Sequence, residues 1–287
     1  MIALTAASGG LGYTTLLHLL STGRPVVAIV RDPERLRTRL DAETTDLSEL
    51  IIRQADYNDP GSLDAALRGV TRLLQVSASD IGEQAERQES NVVEAASRRG
   101  VRHMVYTSTL HPAYDSHFRS AVQCRHTEDQ IRQSGMTYTF FRNSMYFETL
   151  PLFIGSGWEE GTILLPVGGG KVSFVSREDI AEALARVLVS GGYENQTYNI
   201  TGEKAFTFAE VADLLTALRQ RPFRFTDLPA DEWKAALPEG MMPEEMADWF
   251  LSMLTGIRYQ EFSTVSDSLQ TLLNRPRRTL SSYLRHV

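Results

Sequence analysis

The chain has 287 residues and a formal net charge of −7, with 42% apolar and 23% charged side chains. This is an ordinary globular composition; the acidic balance excludes a nucleic-acid surface built on a basic patch, and no apolar run approaches the roughly 20 residues of a membrane-spanning helix. One cysteine, Cys124, permits no internal disulfide. Residue 1 already falls in the first expected strand, which leaves no room for a signal peptide, so the expected compartment is the cytoplasm.

Ile2–Leu4 predicts a short buried strand, followed by a turn rich in Ala, Ser and Gly and then by an amphipathic helix with Leu16, Leu17, Leu19 and Leu20 in register up to Gly23. Pro25–Val30 is a continuous apolar run with β-branched residues, the pattern of a parallel strand buried on both faces. A polar helix follows from about Pro33, then a strand at Leu50–Gln54. Asp59-Pro60 opens a helix, since proline is tolerated at the first helical position, with Leu63, Ala66 and Leu67 on one face. Arg72–Val76 predicts the fourth strand, Ile81–Arg99 a long helix closed by Gly100, and His103–Thr107 the fifth strand. Ser120–Ser134, closed by Gly135, is the next helix and Tyr138–Arg142 the sixth strand. This alternation predicts an α/β protein, a Rossmann-like doubly wound parallel sheet with helices on both faces.

After about residue 145 the texture changes. Phe147–Ile154 reads as a short helix, Gly161–Pro166 as a strand, Gly168–Gly170 as a turn and Arg177–Ser190 as a strong helix. Tyr198–Thr201 is a late strand, and Thr207 with Glu210 forms a capping box opening a helix to Arg219. Phe223–Asp227 is a strand, followed by helical stretches at Pro243–Leu254, Ser266–Asn274 and Leu280–Leu284. The expected organisation is a dinucleotide-binding domain over 1–150 and a smaller mixed α/β lobe over 151–287 that is interleaved with the main sheet and roofs its cleft.

In an open α/β sheet, ligands bind at the carboxyl ends of the strands where strand order reverses. The first such end is the turn Ala6, Ala7, Ser8, Gly9, Gly10, Leu11, Gly12, a variant of G-x-x-G-x-x-G with alanine first. A helix opening on such a turn offers backbone N–H groups and its positive dipole end to a phosphate. At the second strand's end stands Arg31, suited to the extra phosphate of NADP, followed by Asp32, which would instead favour the ribose of NAD. The expected cofactor is therefore NADP, with NAD the less favoured alternative. Asp56 and Tyr57 end the third strand, where an acid and an aromatic suit an adenine. Ser77, Ala78 and Ser79 end the fourth, where small residues leave room for ribose and nicotinamide.

The segments MIALTAASGGLG, VVAIVRDP, RQADYNDP, YTSTLHP, GMTYTFFRNSMYFETLP and GGGKVSFVSREDIAEA resemble, almost end to end, the NmrA-like branch of the atypical short-chain dehydrogenases/reductases, and within it the bacterial NADPH:quinone oxidoreductases of type 2. The resemblance implies an NADP-binding Rossmann domain with a small C-terminal lobe, and it extends to members that sense the dinucleotide and signal to a protein partner. Three positions depart from the family pattern: Ala6 where glycine is usual, Cys124 where a His or Lys commonly stands four residues before Glu128, and Thr149 where Asn is common after Tyr146-Phe147-Glu148.

The only lysines are Lys171, Lys204 and Lys234, so the Tyr-x-x-x-Lys dyad of the usual short-chain reductases cannot exist in the nucleotide domain. A quinone needs no such dyad, because hydride addition makes an aromatic product and the protein has only to stack the acceptor and stabilise an oxyanion. Asn143 and Tyr146 are the expected catalytic residues, with Tyr106, Ser108 and His111 as further candidate donors. Phe118, Met145 and Phe147, together with His111, are the expected substrate contacts. The expected partner is a small molecule, with a protein partner or a second copy of the chain left open. His111, Asp115, His117 and His126 are too irregularly spaced for a metal site, and none is expected. Cys124 beside Arg125 and His126 reads either as a thiol of lowered pKa or as a small buried hydrophobe. Arg275, Arg277 and Arg278 read as a solvated turn.

Overall fold

The computed structural model describes residues 1–43, 46–155, 157–238 and 240–286. In chain order the elements are β1 (Ile2–Leu4), α1 (Gly10–Leu20), β2 (Val26–Val30), α2 (Pro33–Leu40), β3 (Leu50–Gln54), α3 (Pro60–Ala66), β4 (Arg72–Gln75), α4 (Gly82–Arg98), β5 (His103–Thr109), α5 (Arg119–Gln133) and β6 (Thr137–Asn143). A single 3₁₀ turn, Phe147–Thr149, leads into α6 (Leu150–Ile154), α7 (Gly157–Glu160), β7 (Thr162–Leu165), β8 (Lys171–Val172) and α8 (Arg177–Val189). Then come β9 (Gln196–Ile200), β10 (Phe206–Thr207), α9 (Phe208–Arg219), β11 (Arg224–Asp227), α10 (Ala230–Ala235), α11 (Glu244–Arg258), α12 (Ser268–Leu273) and α13 (Leu280–Leu284).

Seven strands form one parallel sheet in the order β3-β2-β1-β4-β5-β6-β9. The fold is Rossmann-like and doubly wound: strand order reverses between β1 and β4, the place where such sheets open a crevice. β9 comes from the C-terminal third and pairs parallel with β6, Thr139 opposite Gln196 through Asn143 opposite Ile200. β7 pairs with β11 and β8 with β10 in two small sheets outside the main one.

Three cores hold these layers. One lies between the sheet and α1, α8 and α12, with Leu16, Leu19, Leu184 and Leu269 fully buried. One lies on the opposite face, beneath α3, α4 and α5, around Leu63, Val92 and Phe140. The third belongs to the C-terminal lobe and is aromatic, joining Phe153, Phe174, Phe208 and Phe250. Leu110, Phe118 and Ala121 of the main body also pack into it, so the lobe is anchored where β5 leads into α5.

The helix starts follow local chemistry. Asp59 caps α3 by accepting from Gly61 and Ser62 N–H, and Thr207 with Glu210 forms the expected capping box of α9. The arginine-rich turn near the end is not merely solvated: its side chains, partly exposed, are engaged by the protein. Arg275 and Arg278 both pair with the buried Asp179 of α8, and the Arg277 guanidinium donates to the carbonyls of Thr201, Gly202 and Ser266. A buried carboxylate requires such partners. They bind the tail to the start of α8.

Candidate functional site

Two cavities meet at the carboxyl edge of the sheet. A groove of about 350 Å³ runs over the ends of β1, β2, β3 and β4. A second cavity of about 340 Å³ lies beyond it, under α11. Ser77, Ala78, Ser79 and Asp80 line both, so the two are halves of one cleft.

The groove's floor is the turn after β1. Ala6 has φ of +50°, a left-handed conformation costly for a residue with a Cβ. Its carbonyl accepts from Gly9 N–H at 2.8 Å and folds under α1. A Cβ on Gly12 would stand 2.2 Å from that carbonyl, so Gly12 is required by the turn's own backbone. Ala6, Ser8, Gly9 and Gly10 line the groove, but Leu11 and Gly12 do not. Leu11 is turned into the core among Leu16 and Leu19, and Gly12 is buried beneath the turn, which corrects their expected place as groove-facing residues. What remains open at α1's start is its amide row: no side chain caps it and no acid stands in its first turn.

Arg31 lines the groove as expected. Asp32 does not compete with it. Its carboxylate accepts from Arg35 N–H and caps α2, which removes the feature that favoured NAD. Arg35 joins Arg31 in the groove and also borders an adjoining hollow with Ser8, Thr38 and Arg39. Sequence reasoning missed Arg35, although it stands four residues after Arg31, with only Asp32 between Arg31 and the start of α2. Two arginines and an open amide row make a groove suited to a phosphorylated anion.

Asp56 and Tyr57 line the groove's other side. The Asp56 carboxylate accepts from the backbone and side-chain amides of Asn58, and the Tyr57 hydroxyl donates to Val76 O at 2.9 Å, next to Thr5 Oγ. The ring rather than the hydroxyl therefore faces a ligand. At the junction, Ser77 N–H donates to Thr107 Oγ and Ala78 N–H to Glu89 Oε1, both at 2.9 Å. Glu89 is fully buried and also accepts from Gln123, Tyr106 and Thr127. Burial pushes its carboxyl pKa up, against the pull of those donors. Glu89 was not anticipated; a lone acid on a helix carries no signal of what it braces.

The second cavity is apolar. Phe118 and Met145 line it as expected, with Phe153, Trp249, Met253 and Phe262 from the C-terminal lobe. Two expected wall residues are elsewhere. Phe147 is buried in the lobe's core, its ring 5.5 Å from that of Tyr283, because the 3₁₀ turn points it away from the cleft. His111 is exposed in a left-handed turn and does not line the cavity. The roof is held shut by hydrogen bonds: Trp249 Nε1 of α11 donates to Ser120 Oγ at 2.8 Å, and Ser116 Oγ donates to Glu261 at 2.7 Å.

Four candidate donors separate clearly in this cavity. The Tyr106 hydroxyl is wholly buried and donates to Glu89 at 2.7 Å, so it never reaches the cavity. Ser108 lines the cavity but gives its proton to the buried Glu128 at 2.8 Å, leaving an acceptor facing in. Glu128 is itself held by Arg142 and Arg132. Asn143 is 4% exposed, and neither its amide nitrogen nor its amide oxygen has a partner among the described residues. Tyr146 also lines the cavity; burial pushes its pKa up to about 12, opposed by the nearby Arg177 guanidinium and by the Asn143 carboxamide, which stands close to the hydroxyl but outside hydrogen-bond geometry. Cys124 lines it too, and burial pushes the thiol up to about 12, so it is the small buried hydrophobe and not the lowered-pKa thiol. The lysines stand apart: Lys171 is exposed on β8, and Lys204 and Lys234 form surface ion pairs.

Sheet order, glycine turn and a cleft shared with an apolar cavity define a nucleotide-dependent oxidoreductase of the Rossmann class. More narrowly, the chain belongs to the NAD(P)H-binding family, whose sequence profile matches residues 6–190. It is similar to quinone oxidoreductase 2 of Escherichia coli, 33% identical with 100% of this chain and 98% of that protein covered. The structure of that organism's NADPH-dependent quinone oxidoreductase, complexed with NADPH, matches with a TM-score of 0.91 at 33% identity, covering 100% and 99% of the two chains. NAD(P)H azoreductase of Xenophilus azovorans is 29% identical over 99% of this chain and 96% of its own. The NmrA-like family resemblance read from the sequence stands. Among the described residues no helix is long and apolar enough to cross a membrane.

Proposed function

We propose that the protein transfers hydride from NADPH to a small quinone-like acceptor. The observation that carries this reading is the shared wall Ser77–Asp80, which makes the phosphate-suited groove continuous with an apolar cavity containing an unpartnered Asn143. The similarity to quinone and azo-compound reductases supports it. Arg31 and Arg35 would hold the 2′-phosphate, and the α1 amides the pyrophosphate. Asp56 and Tyr57 would flank the adenine, and Ser77, Ala78 and Ser79 the nicotinamide ribose. NADPH, when bound, supplies the hydride.

The chain's own residues then do three things. Phe118, Met145 and Trp249 stack a flat acceptor and exclude water from it. Asn143 Nδ2–H and Tyr146 O–H, which keeps its proton at neutral pH, stabilise the oxyanion that forms as the carbonyl is reduced. No strong acid is needed, since a hydroquinone anion takes its last proton from water. A reducing, cytoplasmic setting fits the lone buried thiol.

The test is to mix the protein with NADPH and a panel of soluble quinones and to follow the loss of reduced cofactor by absorbance. Turnover of electron-poor quinones is the expected result. Tight, redox-selective dinucleotide binding without turnover on any quinone would sink the enzyme reading in favour of a sensor that signals to a protein partner.

A further inference from the structure

Arg177 is the first residue of α8, and its guanidinium has no carboxylate within ion-pair distance and no hydrogen-bond acceptor among the described residues. Its neighbours on α8 are already engaged: Glu178 pairs with His18 of α1, and Asp179 with Arg275 and Arg278. Glu148 accepts only the Arg177 backbone N–H, at 3.4 Å. The guanidinium is not splayed into solvent. It lies flat against Gly10, where a Cβ would meet its Nη1, Cζ and Nε at 3.0, 3.2 and 3.4 Å. Its Cζ is 5.5 Å from the centre of the Tyr146 ring. The absence of a side chain at Gly10 thus makes room for an arginine.

This placement brings two positive features together. α1's open N-terminus and an unpaired guanidinium meet at Gly10, which lines the groove, whereas the start of α8 is capped by Ser176 and carries Glu178 and Asp179. A cation at a helix N-terminus opposes the dipole, and here the open start of α1 meets it. The close packing of α1 on α8, tied by the 2.8 Å His18–Glu178 contact, holds the arrangement in place. An anion at this place is attracted by the guanidinium and the α1 amides together. Arg177 stands behind Gly10 rather than in the groove's lining, on the side toward Tyr146, which lines the apolar cavity.

We propose that Arg177 binds the dinucleotide's pyrophosphate on its nicotinamide side, and that this contact positions Tyr146 at the cavity. The proposal rests on reading the groove as an NADPH site. Nothing in the pattern of the glycine turn predicts it, because Arg177 is 167 residues away from Gly10 and reaches it only through the pairing of α1 with α8.

The experiment compares two ligands in the intact protein by titration calorimetry: NADPH, and adenosine 2′,5′-bisphosphate, which lacks the nicotinamide-side phosphate. In Arg177→Met, NADPH is expected to bind about 10- to 100-fold more weakly, the loss of a charge-assisted contact, while the bisphosphate binds as in the wild type. Arg177→Lys is expected to recover part of the loss, since a point charge remains. Gly10→Ala, which displaces the guanidinium, is expected to weaken NADPH binding in the same direction. Unchanged NADPH affinity in Arg177→Met overturns the proposal, as does an equal loss for both ligands, which would mean a collapsed turn. A wild-type protein that binds neither ligand overturns the NADPH reading itself and is thereby told apart from failure of the Arg177 contact.

Discussion

The carbonyl oxygen of Ala6 occupies the space a Cβ on Gly12 would need, at 2.2 Å. The two residues are therefore set by each other: Ala6 holds a left-handed φ of +50° so that its carbonyl can accept from Gly9, and position 12 must then be glycine. Replacing Ala6 with glycine removes the left-handed penalty and is expected to stabilise the protein by about 1 kcal/mol, read as a rise in the midpoint of thermal unfolding. Gly12→Ala is expected to cost about 1–3 kcal/mol through backbone overlap and to weaken dinucleotide binding. A neutral Gly12→Ala would mean that the turn does not have this shape.

Arg31 and Arg35 line the groove together, and Asp32 is spent on capping α2. The double variant Arg31→Ala/Arg35→Ala is expected to lose about 10- to 100-fold in NADPH affinity and to leave NADH affinity unchanged, measured by quenching of protein fluorescence. Equal losses for both cofactors would remove the proposed role of the pair.

Asn143 has two buried polar atoms without partners among the described residues, which the folded state tolerates at a cost. Asn143→Leu, close in size, is expected to raise stability by about 1 kcal/mol while lowering kcat/KM for quinone reduction by about 10- to 100-fold. Denaturant unfolding and steady-state rates check the two halves separately. A destabilised variant would show that the carboxamide has a structural partner.

The Cys124 thiol is pushed up to about 12 by burial, against about 8.5 in an unfolded chain. Between these values the unfolded state has lost a proton that the folded state keeps, so stability falls as pH rises through that window. The thiol alone contributes a slope of about 1.4 kcal/mol per pH unit at most. Cys124→Ala is expected to flatten the alkaline limb of the stability curve. In the native protein at pH 8, a thiol reagent is expected to label Cys124 far more slowly than in denaturant; rapid native labelling would contradict the burial.

Local rules made much of the fold legible. Leu50–Gln54 forms β3 with the boundaries expected, although it is a half-exposed edge strand, because a short run rich in β-branched residues between polar segments is legible without burial. The Asp59-Pro60 start and the Thr207–Glu210 box were readable because capping depends on neighbouring residues alone. The two-residue strands β8 and β10 and the four-residue α7 have no period long enough to detect.

In the site, strand ends were readable and facing directions were not. Met145 faces the cavity and Phe147 the core, because the 3₁₀ turn that begins at Phe147 turns its ring toward Tyr283. Leu11 belongs to the glycine motif in sequence and to the core in space. Trp249 and Phe262 reach the cavity, and Arg177 reaches Gly10, from distant elements, and only tertiary packing brings them there. The arginines at 275 and 278 looked solvated because their partner, Asp179, lies almost a hundred residues earlier and is itself buried.

That pairing has a consequence for how the protein matures. Synthesis delivers the chain N-terminus first, so the glycine turn, Arg31 and Asp56 are made long before Arg275 and Arg278. Until those two arginines arrive, Asp179 is a carboxylate awaiting its counter-charges at the head of the helix that presents Arg177. A half-made chain thus has the strand ends that floor the groove before it has Trp249 and Met253 of α11, which line the apolar cavity.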